Sequence, residues 1–413
     1  MKKEIINPML VILCFLAGIT VVKAQAPLLP LDSVIARINA NPALTVYNAK
    51  ISAQDAYAAG AKNLDAPKIS AGQYMTPYSL EPNMGSFMIS GEQMFTNPAK
   101  LRAKEDYMKE ASKITAADKD YLKNQLIAQA KEYYYDRVVL EKKLGVLQGT
   151  RELLEYMLKD ANIRLSYGKE KLSNIYKTKA KLFNLDNQQE QLSNTISQNN
   201  IMLNTLMFRN KQEAFSVDTS VVVQDYETTF TDTSVLAEKR SDIRGISRNI
   251  ELQRLSAKME YDKRKPDFGI QAGHMFTYGG NPNQYILMAS ITIPIVPWAS
   301  KEYKANLKGI RYEKDALQQK RMDILNQAEG ELAALRTQIT SEKRQLNNYL
   351  ENIIPALRNS YKTALIAYDQ NTGDIQSVLD GIKDLQAARM GALDRLQQLL
   401  ILQVAYEKEN EKY

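Results

Sequence analysis

Few residues of this sequence belong to types that do covalent or metal chemistry. Among 413 residues there is one His, His274, and one Cys, Cys14. Zinc sites built from Cys and His, and catalytic triads, need more such residues than that. Neither a Gly-rich phosphate loop nor an HExxH motif occurs. Carboxylate pairs remain, Asp369 with Asp374 and Asp380 with Asp384. The second pair shares a helical face, where solvated acids are ordinary. Met75, Met84, Met88 and Met94 gather around one hairpin. Thioethers suit soft metal ions, but Met in strands and turns more often serves as an apolar residue, and that reading is adopted. His274 falls on the apolar side of its segment. No catalytic, metal or cofactor site is expected, and the chain is not expected to be an enzyme.

The surrounding sequence is built for long elements. Hydrophobic residues make up 44% and charged residues 24%, close to ordinary globular usage. No Pro occurs between Pro98 and Pro266, nor between Pro297 and Pro355, which favours long helices. Leu126, Tyr133, Leu140, Leu147 and Leu154 recur every seven residues. So do Ile175, Leu182, Ile196 and Leu203, then Leu332, Ile339, Leu346 and Ile353, then Leu379, Leu393 and Leu400. Such spacing predicts antiparallel coiled-coil packing. A helix from Pro98 to about Ile163 is expected, with Pro355 kinking or locally opening the second long helix. Phe215 to Phe230, rich in Val, reads as a strand-bearing connector.

Residues 1–24 read as an export signal. Lys2 and Lys3 precede the apolar run Met9–Gly18, and Val22-Lys23-Ala24 supplies a small-residue cleavage pattern. Cys14 belongs to that discarded signal. Its loss removes Lys2, Lys3, Lys23 and Glu4, so the net charge falls from +7 to +5. No basic run with interleaved aromatics suggests nucleic-acid binding.

No later stretch is apolar enough for a spanning helix, so a membrane could be crossed only by strands. Four segments, about 67–78, 86–95, 267–278 and 284–295, alternate in the way strands do. Phe268, Ile270, Ala272, His274 and Phe276 oppose Gly269, Gln271, Gly273, Met275 and Thr277. Each is about the length of a tilted transmembrane strand. Four strands cannot close a barrel, and open edges are not tolerated in lipid, so this reading requires oligomerisation. Two soluble hairpins packed on helices are the competing reading.

The chain also contains itself twice. Asn41 matches Arg240 and Pro67 matches Pro266 at an offset of 199, and Gly168 matches Gly373 at 205. The expected organisation is a first repeat over 25–210, a connector over 211–232 and a second repeat over 233–413. This order, with Asn41-Pro42-Ala43-Leu44, the Pro67-Lys68 and Pro266-Asp267 strand openings, and turns at Tyr167-Gly168 and Tyr368 to Gly373, resembles the outer membrane efflux protein (TolC-like) family. The stretches Glu92–Pro98 and Ile353-Ile354-Pro355 resemble its heavy-metal and cation efflux branch. Two departures stand out. The family's Pro-Leu-Phe-x-Gly is replaced by Met94–Pro98 and Pro294–Trp298, and Tyr368 and Gly373 are unusually far apart.

The resemblance implies a mainly α chain with four transmembrane strands, a homotrimer closing a 12-stranded barrel in the outer membrane, and an α-helical periplasmic tunnel. It implies a passive exit duct that works with an inner-membrane pump and a periplasmic adaptor. Arg164, Tyr167, Gly168 and Gly373 are the adaptor-docking candidates by resemblance. Tyr361, Tyr368, Asp369 and Asp374 are the candidates for a gate at the pore tip. Helix capping is an equally natural role for Gly168, Gly373 and Asp374. A soluble periplasmic coiled-coil scaffold or adaptor is the alternative function; it explains the helices but not the strands.

Overall fold

The structure, a computed structural model, describes residues 27–79, 83–226 and 233–411. The expected signal with Cys14, the turn residue Pro82 and the end of the connector lie outside them. Two short helices lead in: α1 (Leu31–Ile38) and α2 (Pro42–Gly60), the latter opened by Asn41, whose side chain accepts from the Ala43 N–H. Strands β1 (Lys68–Tyr74) and β2 (Ser86–Phe95) follow, then α3 (Pro98–Ser166) and α4 (Leu172–Leu206). After α5 (Thr233–Lys239) the order recurs: α6 (Ser241–Asp262), β3 (Phe268–Thr277), β4 (Gln284–Ile291), α7 (Pro297–Asn348), a π-helical turn (Tyr349–Ile353), α8 (Ile354–Asp369) and α9 (Ile375–Glu409).

The strands form one antiparallel sheet in the order β1-β2-β3-β4. The central pair joins the two halves over ten residues, from Ser86↔Thr277 to Phe95↔Phe268. Register places Ile69, Ile89, Phe268, Ile270, Phe276, Leu287 and Ile291 on one face, all exposed. Ser70, Ser90, Glu92, Gln271 and Ser290 share the other face with Gly72, Gly269 and Gly273. Met88, Met94, Met275 and Met288 lie on that second face, while Met75 and Met84 sit in the turn region outside the strands. A Cβ at Gly269 would fall 2.5 Å from the Met94 sulfur, so the glycine makes room for the thioether. His274 stacks edge-on with Phe276 on the apolar face, ring centroids 4.6 Å apart. β1 ends at Tyr74 and β4 at Ile291, each four residues before its expected end.

α3 has 69 residues, about 100 Å at 1.5 Å per residue. It packs against α4, α6, α9 and α2. Leu140, Leu147 and Leu154 of the expected seam are buried, and the seam runs on to Ala161. One core joins α3, α4, α7, α8 and α9 along the rod. A second gathers α1, the middle of α3 and the end of α4 around Phe215 and Val217.

Two expectations need correction. The connector carries no strand among its described residues, only an isolated parallel bridge between Leu28 and Ser216. Its apolar residues are there to fill a core: Phe215 and Val217 are buried, and Arg137 binds the Phe215 carbonyl at 2.5 Å. The second long helix does open beside Pro355, through the π turn, and this moves the seam. Buried positions run Leu332, Ile339, Leu346, then Ile354, Tyr361 and Tyr368, so Ile354 takes the place expected of Ile353.

Candidate functional site

The tip opposite the sheet brings most of the singled-out residues together. α3 ends at Ser166, and Gly168 reverses the chain at φ +71°, with the Lys169 N–H bonded back to the Arg164 carbonyl at 2.9 Å. Only glycine takes that conformation cheaply. The second tip turns differently. Its left-handed residue is Asn371, φ 55°, not Gly373 as the sequence suggested. Gly373 is needed for space, since a Cβ there would lie 3.0 Å from the Ala367 Cβ. Asn tolerates this conformation through its short polar side chain.

Arg164 spans the two tips. Its Nε donates to Asp160 at 2.6 Å within α3. Its Nη1 donates to the Tyr368 carbonyl at 3.1 Å and to the Asn371 Oδ1 at 2.9 Å. The guanidinium lies 4.1 Å from the Tyr368 ring centroid, and Asp369 stands 3.5 Å away. Burial opposes the charge, but Asp160, Tyr368 and Asp369 outweigh it and hold the Arg164 pKa above its ordinary value. The Tyr368 hydroxyl donates to Glu170 at 3.3 Å. Burial first, then the nearby Asp160 and Glu170 charges, push its pKa well up, so it stays a neutral donor.

Tyr361 lies one heptad away, buried, with its backbone close enough to Gly381 that a Cβ there would sit 3.2 Å from it. Burial raises its pKa too. Asp374 caps α9 by accepting from the Ser377 N–H at 2.8 Å, and this bond holds its carboxyl below the usual range. The stability it lends is complete above the unfolded value of about 4 and disappears as pH falls through its lower folded value. Tyr167 is exposed, as are Ile163, Leu172 and Tyr176 along the first tip. Asp160, Glu170 and Asn371 escaped the sequence reading. Only Asn371 left a signal there, as an Asn shortly after a helical run.

Asn is also a good helix cap, so changing Asp369 and Asp374 together to Asn removes charge while sparing the fold. If these residues ring a pore mouth, the double variant should lose cation preference in planar bilayers. Unchanged selectivity in a variant that still folds would leave Asp374 as a cap only.

Among the described residues no helix is long and apolar enough to cross a membrane, and no three His, Cys, Asp or Glu side chains gather as metal ligands. No protein-family model matches the sequence, and no curated protein matches it. Solved structures do. The outer-membrane channel OprN superposes with a TM-score of 0.74 at 16% identity, over 92% of this chain and 89% of that one. The outer membrane protein VceC of Vibrio cholerae gives 0.73 at 14%, over 92% and 95%. The CmeC outer membrane channel of Campylobacter jejuni gives 0.70 at 14%, over 92% and 85%. The chain therefore has the TolC-like outer-membrane channel fold.

Proposed function

We propose that this chain, folded as outer-membrane efflux channels are, is the exit duct of a tripartite efflux system. Three copies close a 12-stranded barrel in the outer membrane, and their helices extend it as a periplasmic tunnel. Substrates delivered by an inner-membrane pump and a periplasmic adaptor pass through without chemistry in the duct itself. The observation that carries this reading is the sheet: apolar and exposed on one face, with Ser, Gln, Glu, Gly and Met on the other, and with the outer edges of β1 and β4 unpaired. Such edges are untenable in lipid unless a neighbouring copy covers each of them.

The first tip, Arg164 to Gly168, with Tyr167 and Gly168 exposed, is the adaptor-docking end in this reading, and the Tyr368–Asp374 turn is the gate. The loops at the other end of the sheet then face outward. They touch: the Tyr278 N–H bonds the Gly85 carbonyl at 3.1 Å, and Gly279 packs on Asn83. Cysteines placed at Asn83 and Asn281 should react with impermeant maleimide on intact cells, and one at Asn174 should not. Labelling at Asn174 alone would overturn the topology. A fully soluble monomer would favour the scaffold.

A further inference from the structure

Where the sheet ends, the charge of the chain concentrates. The start of β1, the end of β2, the start of β3 and the end of β4 share one level, and α2, α3, α6 and α7 all end or begin there. Segments 61–68, 96–106, 258–268 and 297–312 hold thirteen Lys or Arg and seven Asp or Glu, a net of +6 against +7 for the whole chain. Most of the acids are already committed. Asp267 holds Lys100, Asp106 holds Lys258, Asp262 holds Lys265, and Glu105 is shared by Lys62 and Lys109. Lys68, Arg102, Lys104, Lys301 and Lys304 are exposed and have no ion-pair partner among the described residues. The four on α3 and α7 lie within about 10 Å of the helix starts at 1.5 Å per residue.

This placement works against the helices. The positive end of a helix dipole favours acids in the first turn. Neither α3 nor α7 has one there; Asn97 caps α3 and Asp267 accepts from the Asn97 N–H, but Val296 offers α7 no side-chain cap. Two of the longest helices thus direct positive ends and unpaired cations at one level. Immediately beyond it runs an apolar band that includes exposed Phe95, Phe268, Ile291, Ile295 and Trp298. A layer of fixed negative charge bordering hydrocarbon matches both features. We propose that this collar binds the headgroups of anionic phospholipids in the leaflet facing the helices, and so fixes the depth of the barrel. The proposal rests on the membrane reading above.

Trp298 is the only Trp of the chain and stands at the collar, so it reports on its own lipid neighbours. Trimers are reconstituted in phosphatidylcholine vesicles carrying about a quarter of brominated lipid, either phosphatidylglycerol or phosphatidylcholine. Brominated phosphatidylglycerol should quench Trp298 as though enriched about threefold or more, given an attraction of order 1 kcal/mol per cation near the surface. About 0.5 M salt should largely remove the enrichment, because screening shortens the reach of these charges. Changing the five cations to Gln should abolish it, while Lys-to-Arg and Arg-to-Lys exchanges should keep it. Equal quenching by the two lipids would overturn the proposal and leave the collar to an acidic protein partner. Enrichment that persists in the Gln variant would also overturn it. If that variant fails to assemble, the salt series on the unaltered trimer decides, and salt-resistant enrichment counts against the collar. Quenching by neither lipid would instead overturn the membrane reading itself.

Discussion

With Arg164 replaced by Ala, the proposed channel, reconstituted, should open about tenfold more often. Arg164 reaches from the end of α3 to the tip between α8 and α9 through the Tyr368 carbonyl, the Asn371 side chain and the Tyr368 ring. Hydrogen bonds from a charged donor contribute about 1.5–3 kcal/mol each when sheltered. The guanidinium here is partly exposed and its Asp369 partner half exposed, so that ion pair adds little. A net loss of about 1.4 kcal/mol per trimer, roughly 0.5 kcal/mol per chain, corresponds to the tenfold change. Arg164→Lys should fall between, since an ammonium keeps the charge but cannot present the planar fork. Single-channel recording measures the effect. Unaltered conductance together with lost adaptor binding would return Arg164 to a docking role.

Arg240→Ala should cost the fold about 3 kcal/mol, the order observed when one partner of a buried ion pair is removed. Arg240 sits just before α6 and is buried. It binds Asp242 at 2.7 Å, the Glu409 carboxylate at 2.5 Å and the Glu409 backbone carbonyl at 3.0 Å. Next to it, Ser241 donates to Glu411 through its N–H and its hydroxyl. The start of the second repeat is thereby fastened to the end of α9. Burial works against the Arg240 charge, and Asp242 and Glu409 outweigh it, so its pKa rises above its ordinary value. Alanine would leave the Asp242 and Glu409 carboxylates facing each other, with only Lys408, 3.7 Å from Glu409, as a counter-charge. Thermal unfolding of the detergent-solubilised protein tests this. A loss below about 1 kcal/mol would mean that water replaces the arginine and that the clamp is not structural.

The sheet was legible because a period of two assigns every side chain to a face once the segment is found. Phe268 to Thr277 therefore read correctly residue by residue. The long helices were legible from missing Pro and from heptads, both of them local properties. What the sequence hid depends on contacts across the chain. Arg164 is separated from Tyr368 by 204 residues, and nothing near either position announces the other. The connector misled because Val and Phe have strand propensity, yet Phe215 and Val217 bury against α3, and the chain beside them, at Leu28, pairs only in a single bridge to Ser216. Gly373 misled because a glycine invites positive φ, whereas here it answers to the nearby Ala367 side chain and Asn371 makes the turn.

The π turn at Tyr349–Ile353 lies between two stretches of strict seven-residue spacing, and the interval across it, from Leu346 to Ile354, is eight. In an uninterrupted α-helix one extra residue would rotate everything beyond it by about 100° and swing Tyr361 and Tyr368 away from α9. Concentrated in a single wide turn, the surplus leaves both halves of the rod in phase. The hairpin therefore absorbs an insertion of one residue at that place without disturbing its tip. Elsewhere along the seam, with no such turn to take up the surplus, the same single residue would carry the apolar positions beyond it out of phase with their partners.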